Sequence, residues 1–205
     1  LNLYLGLHTK ELRLGQLGYV LPTRDPIRLA EQTAMIDHML KGRFFVGLAR
    51  GYQRRWTNVL GQVYGAQGTY SDQSEIDLTN RRVFEEHLHL MRKAWTEDAI
   101  EWKQDGYMVP YPNTDWPAAE LTREAGVPGE VDENGIVQKI SVVPSPYQKP
   151  HPPIFQAFSV SPATMQWCAE QDIIPTILQG PHERVQDLAE TYQRVCNENG
   201  RDYAL

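Results

Sequence analysis

Lys41-Gly42-Arg43-Phe44-Phe45-Val46-Gly47-Leu48-Ala49-Arg50-Gly51-Tyr52 joins a helix end, a buried strand and an arginine at that strand's tip. Phe44 to Ala49 is a short apolar run, aromatic and branched at its start and small at its end. That composition suits a strand covered on both faces, and such strands belong to parallel sheets. Open α/β sheets and barrels bind ligands at the carboxyl ends of their strands. A guanidinium at that end, followed by Gly51, therefore points to an anion site. The same residue could equally make a structural ion pair across a barrel mouth, and this stretch leaves both readings open.

On the amino-terminal side, Leu1 to Glu11 reads as the tail of a helix and Leu12 to Leu21 as a strand. Gly15 and Gly18 weaken that strand unless another backbone or a ligand must come close. Pro22-Thr23-Arg24-Asp25-Pro26 turns the chain, with Asp25 as N-cap and Pro26 at the first helical position. The helix from Pro26 to Leu40 places Ile27, Ala30, Ala34, Met35 and Met39 at helical spacing for packing on a sheet, and Lys41-Gly42 stops it. Strand, helix and strand make a right-handed βαβ unit. Asp37 and Arg43, near the same helix end, read as a structural pair or loop brace.

On the carboxyl-terminal side, residues 52–74 read as a long loop over the strand ends, with Trp56, Tyr64 and Tyr70 as pocket walls or core anchors. Ile76 to Trp95 is a helix whose Phe84, Leu88, Met91 and Trp95 share a buried face. His87 and His89 on it point about 200° apart, which argues against a shared metal and towards solvent or a partner. An irregular, proline-rich and acidic excursion spans about 97–149, with a hairpin turn at Asn134-Gly135. Ile154 to Phe158 is the next buried strand. Ser161-Pro162 then opens a helix with an N-cap and a proline at N1, and Thr164 stands at N3. Free backbone donors at a strand's carboxyl end make a phosphate site, although Ser161 could simply cap its own helix. Ile173 to Leu178 is a further strand, and the last helix buries Val185, Leu188, Ala189, Tyr192, Val195 and Cys196 before Asn199-Gly200. Arg201 to Leu205 would begin one more strand.

The chain has 205 residues, 41% hydrophobic and 22% charged, with a formal net charge of −6, as expected of one globular domain. The acidic balance excludes a sequence-independent nucleic-acid binder, which needs a basic footprint. No apolar run approaches the roughly 20 residues of a membrane helix and no leader is visible, so the expected location is cytoplasmic. Cys168 and Cys196 fall in helical patterns as small buried hydrophobes rather than a disulfide framework. No metal-ligand set is expected.

Strand–helix units begin near Leu12, Phe44, Ile154 and Ile173. Four consecutive parallel units are the central part of a (β/α)₈ barrel, an α/β TIM barrel incomplete at both ends, and residues 1–205 read as that single domain. Four parallel strands leave two edges, so the segment alone is expected to be marginal or to depend on association.

Leu12-Arg-Leu-Gly, Leu21-Pro-Thr, Asp25-Pro-Ile-Arg-Leu-Ala-Glu, Ile36-Asp37, Lys41-Gly-Arg, Gly47-Leu-Ala-Arg-Gly51 and Pro150-His-Pro-Pro-Ile together resemble the bacterial luciferase-like flavin monooxygenases. The match is dense over 9–61 and 143–180. The resemblance implies the same barrel and a non-proline cis peptide at Leu17-Gly18 under a flavin ring. It also implies Ala49 against the isoalloxazine, Arg50 on the flavin phosphate, and Ser161 and Thr164 as the phosphate-binding serine and threonine. Val160 departs from bacterial luciferase itself, which has a carboxylate there, and this weakens the case for bioluminescence. The implied activity is a two-component monooxygenase. In that chemistry reduced FMN from a separate flavin reductase reacts with O₂ to a flavin 4a-hydroperoxide, which oxidises a small organic substrate. A homo- or heterodimer is implied as well, and the family's catalytic histidine would lie upstream of Leu1. Two alternatives remain: a deazaflavin-dependent hydride-transfer oxidoreductase of the same superfamily, and a non-enzymatic flavin-binding protein.

Overall fold

A computed structural model describes residues 1–104, 107–157 and 159–202. In chain order the elements are α1 (Asn2–Leu7), β1 (Leu14–Val20), α2 (Pro26–Met39), β2 (Phe44–Ala49), α3 (Arg54–Leu60), α4 (Glu75–Thr96), β3 (Trp102–Gln104), β4 (Tyr107–Val109), α5 (Ala119–Ala125), β5 (Ile154–Gln156), α6 (Pro162–Glu170), β6 (Ile174–Pro175) and α7 (His182–Glu198). The contacts divide into two compact units. One holds Leu1–Val20, Met39–Ala49 and the chain from Pro152 onward; the other holds Leu21–His38 and Arg50–His151.

The first unit carries a four-stranded, all-parallel sheet in the order β1-β2-β5-β6. Phe44, Val46, Leu48 and Ile154 are buried within it, as expected of strands covered on both faces. Pairing continues past β5, since Ala157 N donates to Leu48 O (2.8 Å) and Ser159 N to Thr176 O (3.0 Å). Helix α7 buries Leu188, Tyr192, Val195 and Cys196. The expected strand ending at Phe158 is thus seen as far as Gln156, while Phe158 and, of the strand expected to begin over Arg201 to Leu205, residues 203–205 lie outside the described residues.

The second unit is organised by α4. Ser74 caps it, its Oγ accepting from Asp77 N at 3.3 Å, and Phe84, Leu88, Met91 and Trp95 are all buried, as the spacing predicts. Trp95 Nε1 donates to Ala30 O at 3.1 Å, so even the indole's polar atom is satisfied. In the excursion, β3 and β4 pair antiparallel. At Asn134-Gly135 the expected turn is present: Gly135 has φ 80°, its N–H donates to Asp132 O, and Asp132 N donates to Ile136 O.

Several expectations are corrected. Residues 52–74 contain α3 and are not one continuous loop. The buried side of α2 is Leu29, Ala30, Thr33, Ala34 and Asp37, whereas Met35 and Met39 are about half exposed. Asp37 and Arg43 do not pair with each other; each braces neighbouring chain instead, the second of the two readings. Asp37 accepts from the backbone N–H and the side-chain amide of Gln148, while Arg43 donates to the carbonyls of Gly6 and Leu12. His87 is buried, not solvent-facing, because its turn of α4 packs beneath the backbone at Leu21; His89 is exposed.

Candidate functional site

The first unit collects five of the six residues singled out by sequence. β1 pairs with β2 from Leu14 opposite Phe44 to Leu17 opposite Gly47, then skips one residue and resumes with Tyr19 opposite Leu48. Gly18 is the extra residue of this bulge, a feature that re-aims the backbone at a strand's functional end. A Cβ on Gly18 would lie 2.9 Å from the Ala49 Cβ and 3.6 Å from the Ala157 Cβ. Gly18, Ala49 and Ala157 thus form a closely packed small-residue floor, in which a side chain at 18 would collide with Ala49. Leu17 beside it is 43% exposed and Ala49 is 6% exposed. The cis peptide implied at Leu17-Gly18 is not found: among the described residues the cis bonds are Val109–Pro110, Val143–Pro144 and Lys149–Pro150. The bulge at Gly18, which accommodates the extra residue of β1, stands where that bond was expected.

From β5 the chain passes through Ser159, fully buried, whose Oγ donates to Gln156 O at 3.1 Å. That bond fixes the approach to α6. Ser161 is the N-cap: its Oγ accepts from Thr164 N at 3.2 Å and lies 2.9 Å from Thr164 Oγ1. The two hydroxyls expected to share an anion are therefore in contact, at the positive end of a helix dipole. Both remain partly accessible. Arg184 of α7 donates to Val160 O at 2.8 Å, which brings a guanidinium to the residue before the cap. Sequence reading missed Arg184, which lies 23 positions beyond Ser161 in a helix read only for its apolar face.

The sixth residue, Arg50, belongs to the second unit and is already engaged. Its Nη1 meets Asp77 Oδ1 at 2.8 Å, with side chains 15% and 0% exposed, and its Nη2 donates to Ser71 Oγ. Asp77 Oδ2 accepts from Gln73 N at 2.9 Å, and the amide of Asn80 donates to Arg50 O and Gln67 O. The ion pair was one of the two readings that the sequence left open for Arg50. Its partner was missed: the Ser74-x-x-Asp77 capping signature marks a helix start but says nothing of an arginine 27 residues earlier. Of the aromatics in 52–74, Tyr64 packs edge-on against His87 at 4.6 Å, whereas Trp56 and Tyr70 are 58% and 70% exposed.

Burial holds His87 neutral, lowering its pKa, and pushes the Cys168 thiol up to about 12. Both cysteines are buried and free. No described helix is long and apolar enough to cross a membrane.

A parallel sheet with crossover helices, a capped helix start at one strand end and small residues at another makes this an α/β protein, a class whose ligand sites lie at the carboxyl ends of the strands. The chain belongs to the luciferase-like monooxygenase family, whose profile matches residues 3–205. It is 28% identical over 199 residues to the alkanal monooxygenase alpha chain of Photorhabdus luminescens, covering 95% of this chain and 42% of that one. Among solved structures it resembles the oxygenating constituent of 3,6-diketocamphane monooxygenase from Pseudomonas putida in complex with FMN. There the TM-score is 0.69 at 19% identity, over 97% of this chain and 47% of the other. It also resembles an F420-dependent secondary alcohol dehydrogenase, with a TM-score of 0.64 at 13% identity, over 96% and 48% of the two chains. These likenesses establish the (β/α)-barrel fold of the luciferase-like type, and the chain spans less than half the length of the curated relative.

Proposed function

We propose that this chain carries the flavin-binding part of a monooxygenase that uses reduced FMN and O₂ to oxidise a small organic substrate, with the FMN reduced by a separate reductase. The observation that carries this reading is the start of α6, where Ser161 and Thr164 present adjoining hydroxyls at the end of β5. Their chemistry suits a phosphate monoester: hydroxyl donors, helix-terminal N–H groups and the Arg184 guanidinium. The small residues Gly18, Ala49 and Ala157, beside the half-exposed Leu17, suit the close approach of a flat ring. Bound FMN would supply the electrons that activate O₂. The protein's part is to hold the phosphate at Ser161 and Thr164, seat the ring on the small-residue floor beside Leu17, and exclude water there. The family resemblance assigns Arg50 to the flavin phosphate as well; within its own unit Asp77 fixes the guanidinium. The setting is cytoplasmic and the assembly dimeric.

The test is a fluorescence titration with oxidised FMN, anaerobically reduced FMN, riboflavin and the deazaflavin F420. Reduced FMN should bind best, riboflavin more weakly by the value of the phosphate contacts, and Thr164→Val should narrow that gap. Equal affinity for FMN and riboflavin overturns the phosphate assignment. Preference for the deazaflavin moves the chemistry to hydride transfer.

A further inference from the structure

The second unit contains a slot that the flavin reading does not use. β3 and β4 pair Gln104 with Tyr107 and Trp102 with Val109, so Trp102 and Tyr107 share one face of the ribbon. That face and helix α4 enclose a cavity of about 200 Å³, whose lining includes Tyr64, Arg82, Glu86, His87, Trp102 and Tyr107. The ring centroids of Tyr107 lie 6.3 Å from those of both Tyr64 and His87.

The charges around this slot are unequally placed. The Glu86 side chain is 16% exposed, while Arg82, which meets its Oε1 at 2.9 Å, is 51% exposed. The carboxylate is thus sheltered and its counterion faces solvent. Behind the aromatic wall the Tyr107 hydroxyl donates to Asp25 Oδ2 at 2.7 Å, and burial, with the nearby Asp25 carboxylate second, raises the pKa of Tyr64 and Tyr107. His87 Nδ1 donates to Leu21 O at 3.2 Å, and burial keeps the ring uncharged. The slot therefore offers aromatic rings and a carboxylate whose one lining counterion among the described residues, Arg82, is about half exposed to solvent. Aromatic walls attract a desolvated cation through the ring quadrupoles, and a nearby carboxylate adds to that attraction.

We propose that this slot is a binding site for a small organic cation, an alkylated ammonium, held among Tyr64, Trp102 and Tyr107 with Glu86 as its counter-charge. The proposal is independent of the flavin reading. Its volume accommodates a trimethylammonium group, and Arg82 acts as the competing cation that an incoming ligand displaces from Glu86.

The test is calorimetric titration of the full chain with choline and with its uncharged isostere 3,3-dimethylbutan-1-ol. Choline should bind about tenfold more tightly than the isostere, the discrimination expected of a cation among aromatic rings. Glu86→Gln should weaken choline several-fold, and Arg82→Gln should tighten it. Trp102→Leu should erase the preference for the charged ligand. Thermal melts of each variant establish that it is folded. Equal binding of the two ligands, binding of neither by the folded wild-type chain, or choline affinity unmoved by Glu86→Gln and Trp102→Leu overturns the proposal.

Discussion

Arg50→Ala removes one half of a sheltered ion pair and leaves the other half behind. Asp77 is wholly buried, and without the guanidinium its carboxylate keeps the hydrogen bond from Gln73 N but loses its paired charge. Breaking a buried pair in this way costs about 3–5 kcal/mol. The 15% exposure of Arg50 lets some water reach the gap, which places the expected loss near the lower figure, about 3 kcal/mol. Asp77→Asn is milder, because the amide oxygen still accepts from Arg50 or Gln73, and should cost about 1.5–3 kcal/mol. The double variant Arg50→Ala/Asp77→Asn strands no charge, so it should be more stable than the sum of the single losses predicts, by about 0.5–3 kcal/mol. Urea denaturation of the four proteins measures all of these. Single losses under about 0.5 kcal/mol, or strict additivity, would show that the pair is solvated in solution and refute the reasoning. The same set separates loop bracing from ligand binding. If Asp77 positions Arg50 on a phosphate, Asp77→Asn lowers FMN affinity and leaves riboflavin affinity unchanged.

Four further outcomes follow from other sites. Because burial lowers the pKa of His87, the unfolded chain binds the extra proton first, so stability should fall as pH drops below about 6.5; His87→Gln should flatten that part of a melting-temperature profile. Ser161→Ala removes the cap of α6 and should cost about 1 kcal/mol in a urea titration. Gly18→Ala places a Cβ 2.9 Å from that of Ala49 and should cost about 1–3 kcal/mol, with a loss of flavin affinity beyond that of a remote variant of equal stability. Cys168, buried and with its thiol pushed up to about 12, should resist a thiol reagent in the folded protein and react at the rate of unfolding; prompt native-state labelling would contradict its burial.

What the sequence made legible was whatever is encoded locally. The apolar run Phe44 to Ala49, the Ser161-Pro162 start and the four-three-four spacing along α4 each depend on neighbours within a turn or two, and each stands in the structure as read. The parallel order β1-β2-β5-β6 followed from counting strand–helix units. Partner choice was not legible. Arg43 and Asp37 lie six positions apart, yet their partners are residues such as Gly6 and Gln148, which no local pattern announces. Arg50 was recognised as a charged strand tip, but its partner sits beyond a loop. Helix α3 was missed because a single short helix in a polar, glycine-bearing stretch shows too little periodicity. The exposure of Met35 and Met39 could not be deduced from spacing, since spacing tells which residues share a face and not what that face meets.

β2 and β5 are neighbours in one sheet, yet Ala49 and Ile154 are separated by most of the second unit, whereas β1 and β2 are joined by one helix and its turns. Closing a chain segment about four to five times longer adds roughly 1.3 kcal/mol of entropy before any strand contact repays it. Assembly should therefore proceed from the β1–β2 pair, with β5 docking late and in one step with β6, so that the high sequence separation of that pairing sets the folding rate. A nascent chain that has emerged only as far as the excursion would hold the β1–β2 pair with the apolar edge of β2 still uncovered, and that interval is when it most needs protection from neighbouring chains.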